Sequence, residues 1–158
     1  MQKLPLCIGS GKEDYHVLTT FQRKTHTILF DDDCVIALNI IKPLKDHLNH
    51  VRIIEIASSQ ITEASFRNLL RNTGMLEKLV LVEIKITNMK TFDAKKRVRS
   101  SSLKSLTVCN SDFELFGLFG KTSIKELRLC KEFYDPSSNN LFSEFLKLQT
   151  SLETLAVR

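Results

Sequence analysis

The sequence is poor in several features that mark whole classes of protein. It has no tryptophan, three prolines and five glycines, and no window approaches 18 unbroken apolar residues. A membrane-spanning helix needs about 20 such residues, so we expect no membrane span. The first ten residues, MQKLPLCIGS, contain only a very short apolar stretch. They therefore lack the apolar region of a secretory signal.

Cysteine motifs and glycosylation acceptors are also missing. The four cysteines, Cys7, Cys34, Cys109 and Cys130, are far apart and form no C-x-x-C, and no N-x-S/T triplet occurs. These absences favour an intracellular, reducing location, cytoplasmic or nuclear. A secreted recognition protein would carry a signal peptide, glycosylation acceptors and cysteine-rich caps, so that alternative is disfavoured.

Motifs for catalysis and for cofactors are lacking as well. His47 and His50 are spaced to face one metal ion, but no third ligand accompanies them. The acidic run Asp31–Asp33 suits a helix N-terminus, which attracts negative charge, as readily as a cation site. The stretch GSGK at Gly9–Lys12 lacks the lead and the final Ser/Thr of a phosphate-binding loop. We therefore expect a non-enzymatic protein with no cofactor and no metal.

Positive charge is concentrated in the second half of the chain. The net charge is +5, and after residue 79 there are 13 basic against nine acidic residues. Part of the excess is the run KKRVR at Lys95–Arg99. Such a run fits a solvated helix face or loop, a nuclear-import signal, or a site for an acidic partner. Nucleic-acid binding is not expected, because the basic residues are not interleaved with aromatic ones.

What the sequence does contain is a recurring hexamer, first evident in LEKLVLVEIKI at residues 76–86. The pattern L-x-x-L-x-L returns with its fourth position at Leu6, Ile28, Ile54, Leu79, Leu106, Leu127 and Leu155, at intervals of 22, 26, 25, 27, 21 and 28 residues. The last five copies are apolar at all three positions. Alternation within the hexamer predicts a short strand, whose fourth and sixth residues face a core and whose fifth faces away.

The segments between hexamers have helical periodicity. Residues 61–74, ITEASFRNLLRNTG, predict a helix capped by Thr62 at its start and by Gly74 at its end. Ser111 and Glu114 have capping-box spacing ahead of a phenylalanine-rich segment. Helices are also predicted from SSNNLFSEFLKL, EDYHVLTTFQRK and DDDCVIALNIIKPLKDHL, whereas much of 87–101 is predicted to be loop. Alternating strands and helices predict parallel strands joined by right-handed crossovers.

The mean interval of about 25 residues resembles that of the leucine-rich-repeat family, and the resemblance covers nearly the whole chain. It implies an α/β solenoid, a curved horseshoe of about seven irregular repeats forming a single array over residues 1–158. The parallel sheet would lie on the concave side and the helices on the convex side. Because the repeats run from near Met1 into the strand LETLAVR without polar caps, we expect a piece of a longer protein.

One stretch narrows the resemblance. SSQITEASFRNLL, residues 58–70, is similar to the I-T-D-x-x-L-x-x-L segment of cysteine-containing repeats, known best from F-box substrate-recognition subunits of ubiquitin ligases. The matching residues are Ile61, Thr62, Glu63, Phe66 and Leu69. The loop asparagine or cysteine of that subtype is missing, because Cys109 and Cys130 fall elsewhere, one residue past their predicted strands. No F-box itself is visible.

The strand residues that point away from the core are the predicted binding surface for a protein target. They are Ile53, Glu55, Lys78, Val80, Ser105, Thr107, Glu126 and Arg128. Apolar Ile53 and Val80 would anchor the target and the charged residues would orient it. The expected function is a scaffold resembling the substrate-binding repeat domain of an F-box ubiquitin-ligase adaptor, meeting ligase subunits through a module outside this chain. The alternative is a stand-alone inhibitor-like or cytoskeletal repeat protein.

Overall fold

The computed structural model describes residues 6–8, 26–30, 35–36, 44–46, 48–89, 93–130 and 140–158. The elements within them are β1 (Leu6–Ile8), β2 (Thr27–Phe30), β3 (Val35–Ile36), β4 (Ile53–Ala57), β5 (Gln60–Thr62), α1 (Glu63–Asn72), β6 (Lys78–Val82), β7 (Lys85–Thr87), a 3₁₀ helix (Ala94–Lys96), β8 (Val98–Ser100), β9 (Ser105–Cys109), α2 (Leu115–Leu118), β10 (Phe119–Thr122), β11 (Glu126–Cys130), α3 (Asn140–Leu148) and β12 (Thr154–Val157). The predictions on Gly9–Lys12, on EDYHVLTTFQRK, on Asp31–Asp33 and on His47 lie outside the described residues.

A seven-stranded sheet holds one strand from each hexamer. Its order is β1-β2-β4-β6-β9-β11-β12, and every pairing in it is parallel. Equivalent hexamer positions pair directly, so Ile54 faces Leu79, which faces Leu106. The unequal intervals between hexamers are therefore absorbed by the connections and leave the strand register intact. The predicted α/β class, with a parallel sheet, is confirmed.

The core is built from the apolar hexamer positions. The fourth and sixth residues are buried in β2, β4, β6, β9 and β11. The first positions of four hexamers are buried beside them: Val51, Leu76, Leu103 and Ile124. The edge strand β12 differs, because Leu155 is 48% exposed and Val157 is 57% exposed. The fourth and sixth positions are therefore buried where a strand lies on each side and exposed at this edge.

A turn of one kind follows three of these strands. Ser58, Glu83 and Asn110 each have a positive φ, of 44°, 54° and 47°. Each donates its backbone N–H to the carbonyl of the last residue of the next strand in the sheet, at 2.8–2.9 Å. A left-handed residue that is not glycine is uncommon. Its recurrence at one position shows that the chain leaves successive strands in the same way.

In two of these three turns a serine directly follows the left-handed residue. The Ser111 hydroxyl donates to the Cys109 carbonyl and accepts the N–H of Ile84, both at 2.9 Å. Ser59 donates to the Ala57 carbonyl at 2.6 Å. Both serines are buried. They satisfy backbone groups that would otherwise be costly to bury.

Helix α1 confirms one predicted cap and corrects the other. The Thr62 hydroxyl accepts the N–H of Ser65 at 3.1 Å, as predicted. The prediction that Gly74 caps the end is wrong, since Thr73 is the C-cap residue and no described glycine has a positive φ. The Thr73 hydroxyl donates to the carbonyls of Leu69 and Leu70 at 3.1 Å. A side chain therefore satisfies the helix end without a left-handed residue.

The capping box predicted for Ser111 and Glu114 is also wrong. The Ser111 hydroxyl bonds the N–H of Ile84 in the turn described above, so it does not cap α2. Glu114 is the N-cap residue of α2, and its side chain makes no capping hydrogen bond. Helix α2 lasts four residues, after which Phe119–Thr122 form β10. The phenylalanines in and around α2, which are Phe113, Phe116 and Phe119, instead pack in an aromatic cluster. The ring centroid of Phe116 lies 4.9 Å from that of Phe145 in α3.

Two smaller parallel sheets form where helix or loop was predicted. One is β3-β5-β7, and the other pairs β8 with β10. Their strands have only two to four residues, too short for hydrophobic alternation to distinguish them from helix or turn. The segment predicted mostly as loop contains the 3₁₀ helix and β8.

Candidate functional site: the open face of the sheet

The eight residues predicted to bind a target lie together on the face of the seven-stranded sheet opposite its buried ladder. They form two rows across β4, β6, β9 and β11. The first row is Ile53, Lys78, Ser105 and Glu126, and the second is Glu55, Val80, Thr107 and Arg128. All eight are at least partly exposed, and the residue between them on each strand is buried. We call this surface the open face.

One half of the open face is apolar with a single carboxylate. In the second row Glu55 stands between Leu29 of β2 and Val80 of β6. Adjacent strands are about 4.8 Å apart, so the three side chains are immediate neighbours. Glu55 and Val80 are half-buried, as is Ile53 in the first row. No described cation lies within ion-pair distance of Glu55.

The other half is a charged cluster with fixed geometry. The Arg128 guanidinium donates to the Glu126 carboxylate, at 2.8 Å from Nε and 2.6 Å from Nη2. The Ser105 hydroxyl donates to the second carboxylate oxygen at 3.3 Å. The hydrogen bond from Arg128 is the main reason why the pKa of Glu126 is lowered, with Ser105 and the charge of Lys78 acting in the same direction. Glu126 is therefore ionised at neutral pH.

A charged ladder at the start of the strands was not foreseen. The second position of the last five hexamers, two residues before the fourth, is always charged: Arg52, Glu77, Lys104, Lys125 and Glu153. Glu77 Oε1 is 3.7 Å from Arg52 and 3.8 Å from Lys104. Lys125 donates to Glu153 at 2.9 Å, which raises the pKa of that lysine. The available signal was the recurrence of charge at the second hexamer position. Such exposed pairs add little stability.

Cys109 and Cys130 were predicted one residue past their strands, and that placement is wrong. They end β9 and β11 and pair in register at the other margin of the open face. Both are free thiols of intermediate exposure. The pKa of Cys109 is raised to about 11. Burial is the largest cause, and a hydrogen bond with Cys130 is the second. At neutral pH its thiol is protonated, which makes it a poor nucleophile.

The described residues hold no group of three His, Cys, Asp or Glu side chains that could bind a metal ion. In the same part of the chain no helix is both long and apolar enough to cross a membrane.

Comparison of the chain with models of protein families, with curated proteins and with solved structures finds no match.

Proposed function

We propose that the chain is a leucine-rich-repeat array that binds a protein target on the open face. The proposal extends the parallel α/β architecture to a curved solenoid, with the open face on its concave side. Two features support it: hexamers paired position by position, and the turn repeated at Ser58, Glu83 and Asn110. Repeats of this kind stack nearest neighbours into an extended binding surface.

The observation that carries the proposal is the position of Glu55. It is a half-buried carboxylate without a described cationic partner, flanked by the apolar side chains of Leu29 and Val80. Apolar anchors around a polar group that fixes orientation are typical of the centre of a protein interface. A target that presents a lysine or arginine next to an apolar side chain fits this half of the face.

The charged half would set the orientation of the target. Arg128, Glu126 and Ser105 hold one another, so little side-chain freedom is lost when a target binds there. An ionised Glu126 beside Lys78 and Arg128 offers both signs of charge within three strands. Complementary charges affect specificity and association rate more than affinity.

The resemblance at residues 58–70 supports the substrate-receptor form of this proposal. In that form the target is delivered to a ubiquitin ligase through a module that would lie outside these 158 residues. The stand-alone form needs only the open face. The two forms share the binding surface and differ in the proteins that accompany the target.

The test compares three tagged proteins in capture from cell lysate with quantitative mass spectrometry. They are the natural chain, the double variant Ile53→Arg/Val80→Arg, and Ser143→Arg as a control on the exposed side of α3. We expect at least one protein to be retained by the natural chain and the control and lost by the double variant. Direct binding is then measured with purified components. Identical captured sets for all three proteins would refute open-face binding.

A second variant tests the role of the carboxylate. Glu55→Lys should weaken the purified complex by about tenfold or more, because it places a lysine opposite the lysine or arginine of the target. Ligase subunits captured by a longer form of the protein would favour the substrate receptor. A confirmed target without them would favour the stand-alone scaffold.

A further inference from the structure

A groove with a basic lining lies away from the open face. It is formed by the 3₁₀ helix, β8, β10 and the end of α3, and its volume is about 690 Å³. A second depression of about 370 Å³ shares Arg97 and Arg99 with it and extends toward the end of α1. We call the two together the basic groove. It contains most of the run KKRVR, to which the open face gives no role.

Among the described residues that line the basic groove, every charged one is a cation. They are Arg71, Lys95, Arg97, Arg99 and Lys121. Arg97 forms an ion pair with Glu144 of α3. Within the described part of the chain no carboxylate lies within ion-pair distance of the other four. The groove therefore has an uncompensated positive charge.

The run is anchored by contacts with two helices, unlike a basic tail without tertiary contacts. Arg67 of α1 is 6% exposed, and its guanidinium donates to the carbonyl of Lys96. On the other side the guanidinium of Arg97 is held by Glu144. One helix thus contacts the backbone of the run at Lys96, and the other contacts the side chain of Arg97. Lys95 and Arg99 lie on either side of these two anchored residues, and a segment anchored before a ligand arrives loses less freedom on binding.

Gly120 forms the floor of the groove. A Cβ at this position would lie 3.3 Å from Cβ of Arg97 and 3.3 Å from Cγ of Arg99. Its φ is not positive, so close approach is the reason for a glycine here. Without a side chain on Gly120, the stems of both arginines lie across β10. Arg99 and the exposed Lys121 both line the groove.

The lining indicates the chemistry of the ligand. Neutral hydroxyl donors accompany the cations, at Ser100, Ser101, Ser123, Thr150 and Ser151. Guanidinium groups bind carboxylates in a planar, two-point manner, and hydroxyls can donate to the same oxygens. None of the described residues that line the two depressions is aromatic, so these residues offer no platform on which a nucleic-acid base could stack.

We propose that the basic groove binds an acidic segment of a partner protein, with carboxylates placed against Lys95, Arg99 and Lys121. The lining residues run from the end of α1 to the end of α3, which suits a peptide in extended conformation. The proposal does not depend on the open face, and substitutions at the two surfaces separate their effects.

The test uses fluorescence anisotropy with a labelled peptide of ten glutamates. A ten-glutamine peptide and a ten-residue oligothymidylate serve as comparison probes. The variants are Arg99→Glu and Lys121→Glu, and Lys85→Glu is the matched control because it reverses an exposed charge outside the groove. Circular dichroism establishes that each variant is folded.

The glutamate peptide should bind at low salt and weaken as salt is added, since the contact is between exposed charges. Arg99→Glu and Lys121→Glu should each weaken it by about tenfold, and Lys85→Glu by less than about twofold. If one of the two groove variants does not fold, the binding measured for the other variant tests the proposal. Equal weakening by the control, no binding at low salt, or tighter binding of the oligothymidylate would each overturn the proposal.

Discussion

Replacing Leu79 by alanine tests the assignment of faces in the central sheet. Leu79 in β6 is fully buried, and it lies in register between Ile54 and Leu106, which are also fully buried. A cavity there is enclosed by strands on both sides, so the surroundings can collapse only in part. We expect Leu79→Ala to lower the free energy of unfolding by about 3 kcal/mol. This is a large share of the 5–15 kcal/mol that usually holds a domain folded.

Two control variants isolate the role of burial. Val80→Ala changes the next residue of the same strand, which is half-buried on the open face, and should cost about 1 kcal/mol or less. Leu155→Ala makes the same chemical change as Leu79→Ala at the equivalent position of β12. Because Leu155 is 48% exposed, its loss should cost about half as much or less.

Urea denaturation followed by far-ultraviolet circular dichroism is the assay, since the chain has no tryptophan to report by fluorescence. With a slope of about 2 kcal/mol per molar urea, Leu79→Ala should lower the midpoint by about 1.5 M. Equal shifts for Leu79→Ala and Val80→Ala would show that the faces are assigned wrongly. An equal shift for Leu155→Ala would show that β12 is covered in solution.

Three further perturbations follow from single contacts. Gln149→Ala should lower the free energy of unfolding, measured in urea, by about 2 kcal/mol. The buried side-chain amide of Gln149 accepts the N–H of Thr122 at 3.2 Å and donates to the Gly120 carbonyl at 3.1 Å, and the substitution removes both hydrogen bonds. Thr62→Ala should cost about 1 kcal/mol in the same assay, through loss of the α1 cap. Cys109, with its pKa raised to about 11, should react with iodoacetamide roughly a hundred times more slowly below pH 9 than an ordinary thiol.

Each of these predictions has an outcome that contradicts it. Gln60 is exposed, so Gln60→Ala should change little, and a loss as large as that of Gln149→Ala would contradict the role of burial. An unchanged midpoint for Thr62→Ala would refute the cap. For Cys109, folding raises the pKa above its ordinary 9.0, so the native state binds more protons than the unfolded one between about pH 9 and 11. Stability should therefore fall as pH rises through that window, and a rise would refute the shift.

The strands of the main sheet could be predicted because each hexamer satisfies two requirements at once. Leu79 and Leu81 must be apolar to fill the core, and the residue between them is free to vary. That contrast recurs about every 25 residues, which separates it from chance apolar residues. The same periodicity placed the open-face residues correctly in two rows, since register follows from the pairing of equivalent positions.

The connections could not be predicted in this way. Ser111 has the spacing of a helix cap, yet its hydroxyl bonds Ile84, which is 27 residues away. Local spacing cannot reveal a partner supplied by the neighbouring unit. Likewise β8 and β10 are too short for alternation to show, and they form because they pair with each other across the 18 intervening residues 101–118.

This difference bears on where the two proposed binding surfaces come from. The open face is made by the periodic part of the sequence, so its outline follows from the hexamers while its chemistry varies freely at the third and fifth positions. The basic groove is made by connections that differ from one interval to the next. Its cations come from the 3₁₀ helix, β8 and β10, and its geometry depends on the long-range contacts of Arg67 and Arg97. The binding role of a charge run such as KKRVR can therefore be inferred only when the segments that contact it in the fold are known.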